Sequence, residues 1–213
     1  VRYLPVNLDV AGRKALVVGG GRVASRKVRS LRECGAEVTV VSPAFCSGLA
    51  RMKGIRRLRR GYRKSDLRGV WLVVSAAGPQ AVNQRVWEHA QEAGVPVNVV
   101  DQPALCTFTV PAVVRRGDLV ITVSTGGGSP ALSGRIREIL SAAIGPEFGQ
   151  HVALLREMRT VVKASGLPLA ARGVLLKAMS GDAIRDVIRR GGLAAARRQL
   201  GRMLAEAQRQ PPG

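Results

Sequence analysis

An apolar run, Ala15, Leu16, Val17 and Val18, ends in three consecutive glycines, Gly19, Gly20 and Gly21, and passes into a helix-compatible stretch that opens with Arg22, Val23 and Ala24. Few folds accommodate this order of strand, tight turn and helix. Glycine allows positive φ and a close approach of backbone to a ligand. The N–H groups that open the following helix lack intrahelical acceptors and point at any anion placed before them. Gly19, Gly21 and Ala24 fill the G-x-G-x-x-G/A spacing of a dinucleotide-binding turn. On spacing alone, a plain strand-to-helix turn satisfies the same pattern.

The residues that follow extend this unit. A helix over 22–34 stops at Gly35, and Glu37, Val38, Thr39, Val40 and Val41 form a second strand broken by Ser42 and Pro43. Strand, helix and strand within about thirty residues predict a right-handed βαβ crossover with parallel strands. In NAD-type units an acid ends the second strand and holds the ribose hydroxyls. Here Ser42 stands there and the next acid is Asp66, so ribose recognition falls to Ser42 and nearby backbone, and NAD and NADP both stay open.

A second apolar run, 70–78, ends in Ser75, Ala76, Ala77 and Gly78, the pattern of a parallel strand buried on both faces whose small end leaves room for a ligand. A helix over 79–93 and a strand over 97–100 then lead to Asp101. His89, mid-helix with no second ligand nearby, reads as a surface or core residue. Residues 19–21, 75–78 and Asp101 each follow a strand of the expected sheet, so they share its carboxyl edge, where open α/β sheets bind ligands. Asp101 is the only carboxylate among them; an Asx turn before Pro103 is its competing reading.

Composition narrows the partners. The formal net charge is +20, from 34 basic and 14 acidic residues, and predicts attraction to polyanions: nucleic acid, anionic lipid or a polycarboxylate small molecule, unless it only reflects a compositional habit. The segment 51–68 holds Arg51, Lys53, Arg56, Arg57, Arg59, Arg60, Arg63, Lys64 and Arg68 against Asp66 alone. It reads as a charged edge strand with flanking loops. Aromatic residues make up 3% of the chain, too few for a stacking platform, so nucleic acid is not expected. Cys34, Cys46 and Cys106 fit neither a disulfide framework nor a zinc site. With no membrane-length apolar run and no signal-peptide core at the first residues, a cytoplasmic protein is expected.

Beyond Pro111 the pattern changes. Arg115, Arg116, Gly117 and Asp118 read as a turn, 119–124 as a strand, and Thr125, Gly126, Gly127, Gly128 and Ser129 as a second glycine-rich turn, with Ser129 as N-cap and Pro130 as first residue of a helix to about 144. This turn reads either as a second anion-binding candidate or as a flexible connector. Helices are expected over 147–164, 168–180, 182–190 and 193–209, and a disordered tail over 208–213.

Taken together, Tyr3, Leu4, Pro5 and Val6, the glycine turn with Arg22 to Lys27, Asn98 to Asp101, Phe108 to Ala112, and Ser124 to Pro130 resemble the N-terminal module of siroheme synthase. That family comprises the precorrin-2 dehydrogenases, some of which are also sirohydrochlorin ferrochelatases. The resemblance implies an α/β fold: a Rossmann-type parallel sheet over 1–112, a dimerisation segment over 113–145 and a small C-terminal helical domain over 146–213, assembled as a homodimer. It implies NAD as cofactor, precorrin-2 and sirohydrochlorin as tetrapyrrole substrate and product, and ferrous iron as a second substrate in the bifunctional members.

The same resemblance makes Asp101 the catalytic residue, as general base and transient metal contact. It matches Arg22, Val23, Pro43 and Ala44 to cofactor contacts, beside Gly19, Gly21, Ser42 and Ala76 at the sheet edge. Thr125 takes the place of a serine that is phosphorylated in some relatives. With Gly126, Gly127, Gly128 and Ser129 it is expected to contact substrate, and arginines are expected to hold the acetate and propionate arms. The length leaves no room for the methyltransferase domain of the fused enzymes, and no His/Cys metal cluster is expected. Two other readings compete: a basic Rossmann scaffold that binds nucleic acid, and a nucleotide sensor without catalysis.

Overall fold

The computed structural model describes residues 3–209. It divides into two compact units, Val1–Val110 and Pro111–Gly213. In the first, β1 (Lys14–Val18), β2 (Glu37–Val41), β3 (Arg56–Leu58), β4 (Leu72–Ser75) and β5 (Val97–Val99) form one sheet in the order β3-β2-β1-β4-β5, parallel throughout. The chain leaves β1 toward one edge, then crosses back to β4 on the other side. The switch point therefore lies between β1 and β4, as the Rossmann-type expectation requires.

Both faces of this sheet are covered. One core gathers Ala15, Val17, Val38 and Val40 with Ala24 and Val28 of α1 (Arg22–Glu33). The other gathers Leu16, Val18, Val41 and Val73 with Val86 and Ala90 of α3 (Gln80–Glu92), the short helix α2 (Ser47–Ala50) packing Leu49 into the first. Burial on both sides is why the strands read as continuous Val and Leu runs.

The β3-to-β4 connection carries only a 3-10 turn, Lys64–Leu67, in place of a full helix. That part of the sheet stays open as a cavity of about 720 Å³ bordered by Lys14, Glu37, Thr39, Arg56 and Asp66. Lys14, Glu37 and Arg56 begin their strands, so this cavity belongs to the amino side of the sheet, opposite the glycine turn. The arginines here are partly spent on the fold. Arg60 binds Asp66 through both carboxylate oxygens, at 2.6 and 2.9 Å, and Arg57 donates to the carbonyls of Leu49 and Met52.

Tyr62 packs against the second core and its hydroxyl lies 3.3 Å from His89 Nδ1. Burial first, and the Asp66 charge second, push the phenol up to about 12 from 10.0. A proton held more tightly when folded stabilises the protein below the unfolded pKa, and that contribution is lost as pH rises from about 10 to about 12. Thermal melts at pH 9 and pH 11.5 are expected to show a drop in Tm that Tyr62→Phe reduces.

The second unit opens with a hairpin. The sequence reading of Arg115 and Arg116 as turn residues is corrected: both belong to β6 (Ala112–Arg116), which pairs antiparallel with β7 (Leu119–Val123). Gly117 and Asp118 alone make the turn, with Gly117 at φ +57°, the left-handed geometry that two-residue hairpin loops demand. Two arginines at the end of an apolar run conceal a strand whose outer positions face water.

α4 (Pro130–Ala143) packs on this hairpin, and α5 (Pro146–Ala164), α6 (Leu169–Met179) and α7 (Asp182–Arg209) share a third core around Leu154, Met158, Met179, Ile188 and Leu200. The two helices expected over 182–190 and 193–209 are both present in α7, separated at Gly192, whose φ +70° and ψ −179° are not helical. Gln208 and Arg209 close α7 in place of the expected disordered tail, whose residues 210–213 lie outside the described residues. No helix among the described residues is long and apolar enough to cross a membrane.

Candidate functional site

Parallel strands place the turns after β1, β2, β4 and β5 at one edge, with the β1 glycines in the centre. Each glycine answers a different constraint. Gly19 has φ +122°, and a Cβ there would lie 2.3 Å from the carbonyl oxygen of Ala76, so β1 and β4 meet closely at the switch point. A Cβ on Gly20 would lie 1.8 Å from the Ala44 carbonyl oxygen and 2.7 Å from Ser42 Oγ. Gly21 is the opposite case: its Cβ would meet no atom within 4 Å. Gly19 and Gly20 are thus required by the protein's own packing, and Gly21 borders open space at the helix entrance.

Gly21 is also the N-cap of α1 and makes no side-chain cap. The first intrahelical bond runs from Ser25 N to Gly21 O, which leaves the N–H groups of Arg22, Val23 and Ala24 pointing outward without an acid in the first turn. The positive end of the helix dipole, these donors and the exposed Arg22 suit a pyrophosphate, so the residues present fit a dinucleotide. Pro43 and Ala44 are exposed beside the turn, and Ala76 is half-buried across from it. Ser42 is buried, its hydroxyl against Gly20.

The β4 end is held by a residue the sequence did not single out. Asn83 of α3 accepts from the Ala77 N–H (3.1 Å) and from Ser75 Oγ (2.7 Å) through Oδ1, and donates to Ala77 O (3.0 Å). An asparagine near the start of the expected helix, a few residues beyond the small end of β4, was the available signal.

Asp101 follows β5 and is exposed at the same edge. It is the one non-glycine residue with positive φ among the described residues, at +60°. Among these, no backbone N–H donates to its carboxylate, so the Asx-turn reading has no bond to support it. Lys27, half-buried on α1, was also overlooked: burial chiefly, then Arg26, lowers its pKa, against the opposing charge of Asp101.

The other candidates belong to the second unit. Thr125 Oγ1 accepts from Ser129 N (3.0 Å) and lies 3.1 Å from Ser133 Oγ, while Ser129 Oγ caps α4 by accepting from Leu132 N (3.2 Å). Gly126 and Gly127 take φ +65° and +91°, and Gly128 N bonds Thr125 O. The loop is a closed turn tied by Thr125. The Gly126, Gly128 and Ser129 amides are spent internally, and of its five residues Thr125 and Gly127 keep their N–H groups as donors. No group of three or more metal-ligating side chains occurs among the described residues.

Residues 6–112 match a family model described as "Putative NAD(P)-binding". The chain belongs to this NAD(P)-binding family. It is 38% identical over 208 residues to a siroheme synthase of Stutzerimonas stutzeri (strain A1501), an alignment covering 96% of this chain and 45% of that protein. A siroheme synthase of Pseudomonas entomophila (strain L48) is 46% identical over 165 residues, covering 76% of this chain and 36% of its own length. The chain therefore spans less than half of these curated relatives. Among solved structures, "SirC, precorrin-2 dehydrogenase" superposes with a TM-score of 0.74 at 27% identity, covering 96% of this chain and 100% of that one. The resemblance drawn from the five sequence blocks is borne out, and the nucleic-acid and sensor readings are not favoured.

Proposed function

We propose that the chain oxidises precorrin-2 to sirohydrochlorin with NAD. The observation that carries this is the placement of a lone, exposed carboxylate, Asp101, at the same sheet edge as an uncapped helix N-terminus and a glycine turn. Similarity to SirC along that protein's whole length supports it. NAD, when bound, supplies the hydride acceptor. Gly19, Gly21, Arg22 and Val23 hold its pyrophosphate, with Ser42, Pro43 and Ala44 on the adenosine side and Ala76 on the nicotinamide side. Asp101 takes the proton that leaves the macrocycle as the hydride departs, so precorrin-2 loses two electrons and two hydrogens. Of the 125–129 turn, the Gly127 amide has no internal acceptor among the described residues, and with neighbouring arginines it receives a substrate carboxylate.

Insertion of ferrous iron into sirohydrochlorin is the second proposed step, iron being a substrate held by the macrocycle and Asp101. The setting is cytoplasmic, and residues 1–112, 113–145 and 146–213 act as cofactor domain, dimerisation segment and helical domain. Anaerobic incubation of the chain with precorrin-2 and NAD, followed by absorbance of sirohydrochlorin and NADH, tests the reaction. Equal yields of both products support it; NAD binding without turnover removes it.

We also propose that the active form is a homodimer. Val120, Leu132 and Ile139 are exposed on the β6–β7 hairpin and on the α4 helix packed against it, Ile139 at 60%. Ile139→Glu is expected to shift the mass measured by light scattering from dimer to monomer and to lower activity about tenfold or more.

A further inference from the structure

We propose that Cys106 is a positioning residue for Asp101: its thiol ties the two sides of the Asp101 turn together and fixes where the carboxylate stands. The inference rests on the reading of Asp101 as the base. β5 is an edge strand, so one side of its backbone has no strand to pair with. Residues 106–108 double back along that side and satisfy it. Val97 N donates to Thr107 Oγ1 (2.8 Å), Thr107 N donates to Val97 O (2.9 Å), and Asn98 Nδ2 donates to Phe108 O (3.0 Å).

Cys106 occupies the end of this arrangement. Its buried sulfur accepts from Val99 N (3.2 Å) and can donate to Val99 O (3.2 Å) or to Gln102 O (3.3 Å), with Asn98 Nδ2 at 3.5 Å. The thiol therefore spans residues 99 and 102, one on either side of Asp101. Between those anchors Asp101 is held at φ +60°, a region that aspartate visits but does not prefer. Such a conformation persists only where its surroundings determine it. One backbone bond also crosses the turn, Gln102 N to Val99 O at 3.3 Å, and the thiol supplies the second tie.

Displacement of a reacting group by about 1 Å can cost roughly a hundredfold in rate. Cys106→Ala is thus expected to lower kcat roughly 10- to 100-fold while KM for precorrin-2 and the dissociation constant for NAD stay within about twofold. Cys106→Ser, which keeps a donor and an acceptor, is expected to recover most of kcat. Where the alanine variant does not fold, Cys106→Val removes the same bonds at nearly equal volume and carries the comparison. Wild-type kcat in Cys106→Ala or Cys106→Val overturns the proposal, as does a parallel loss of kcat and NAD affinity that serine fails to rescue. Asp101→Asn, measured alongside, separates the two ideas. An inactive Asp101→Asn with a fully active Cys106→Ala sinks the brace alone, whereas a fully active Asp101→Asn sinks the reading beneath it.

Discussion

Asp101→Asn is expected to lower kcat for precorrin-2 oxidation by about 10² to 10⁴, the range associated with a positioned general base. NAD affinity and Tm are expected to change little. The substitution is clean for three reasons. Asparagine has the same shape as aspartate and tolerates the left-handed backbone at least as well, so φ +60° is no obstacle. The side chain is exposed and accepts no backbone hydrogen bond among the described residues, so no fold contact is lost. The pyrophosphate donors belong to α1, in a different segment of the edge. A fall in kcat at constant KM, read from NADH and sirohydrochlorin absorbance, marks an interaction made in the transition state. A variant with wild-type kcat would show that the proton leaves to another group.

Why Asp101 could be picked out in advance, while its supports could not, follows from the distances over which each signal acts. Strand, glycine turn and helix are neighbours in sequence, and β1, β2 and the start of α1 fall where periodicity and glycine place them. The carboxyl edge follows from parallel connectivity alone. Gly20 looks like the least constrained of the three glycines in the fingerprint, yet it meets Ala44 most tightly, through a contact that exists only once β2 has crossed over. Lys27 likewise acts on a turn that another strand supplies, whereas Asn83 and Cys106 reach back only four to eight residues, through side-chain bonds that no periodicity marks. β6 escaped notice for a local reason: its two terminal arginines resemble turn residues, and only pairing with β7 reveals them as strand.

The glycines themselves give the second large effect, because the structure assigns neighbours in one turn to different tasks. Gly20→Ala would place a methyl group 1.8 Å from the Ala44 carbonyl oxygen and 2.7 Å from the Ser42 hydroxyl. The turn must shift, and the Cys46 N to Gly20 O bond (2.8 Å) that fastens the β2-to-α2 loop shifts with it. Overpacking of this kind costs about 1–3 kcal/mol, so a drop of several degrees in Tm is expected together with loss of NAD binding. Gly21→Ala adds its methyl where no protein atom lies within 4 Å, at ordinary negative φ (−84°). The fold is expected to keep its Tm to within about 0.5 kcal/mol of stability, as for a surface substitution. NAD affinity is nevertheless expected to fall by about tenfold or more, since the methyl group stands where the pyrophosphate approaches the backbone. Calorimetric melting paired with NAD titration of the two variants distinguishes these roles. Equal losses of stability in both would mean that Gly21 serves packing, and unchanged NAD affinity in Gly21→Ala would move the pyrophosphate away from the α1 entrance.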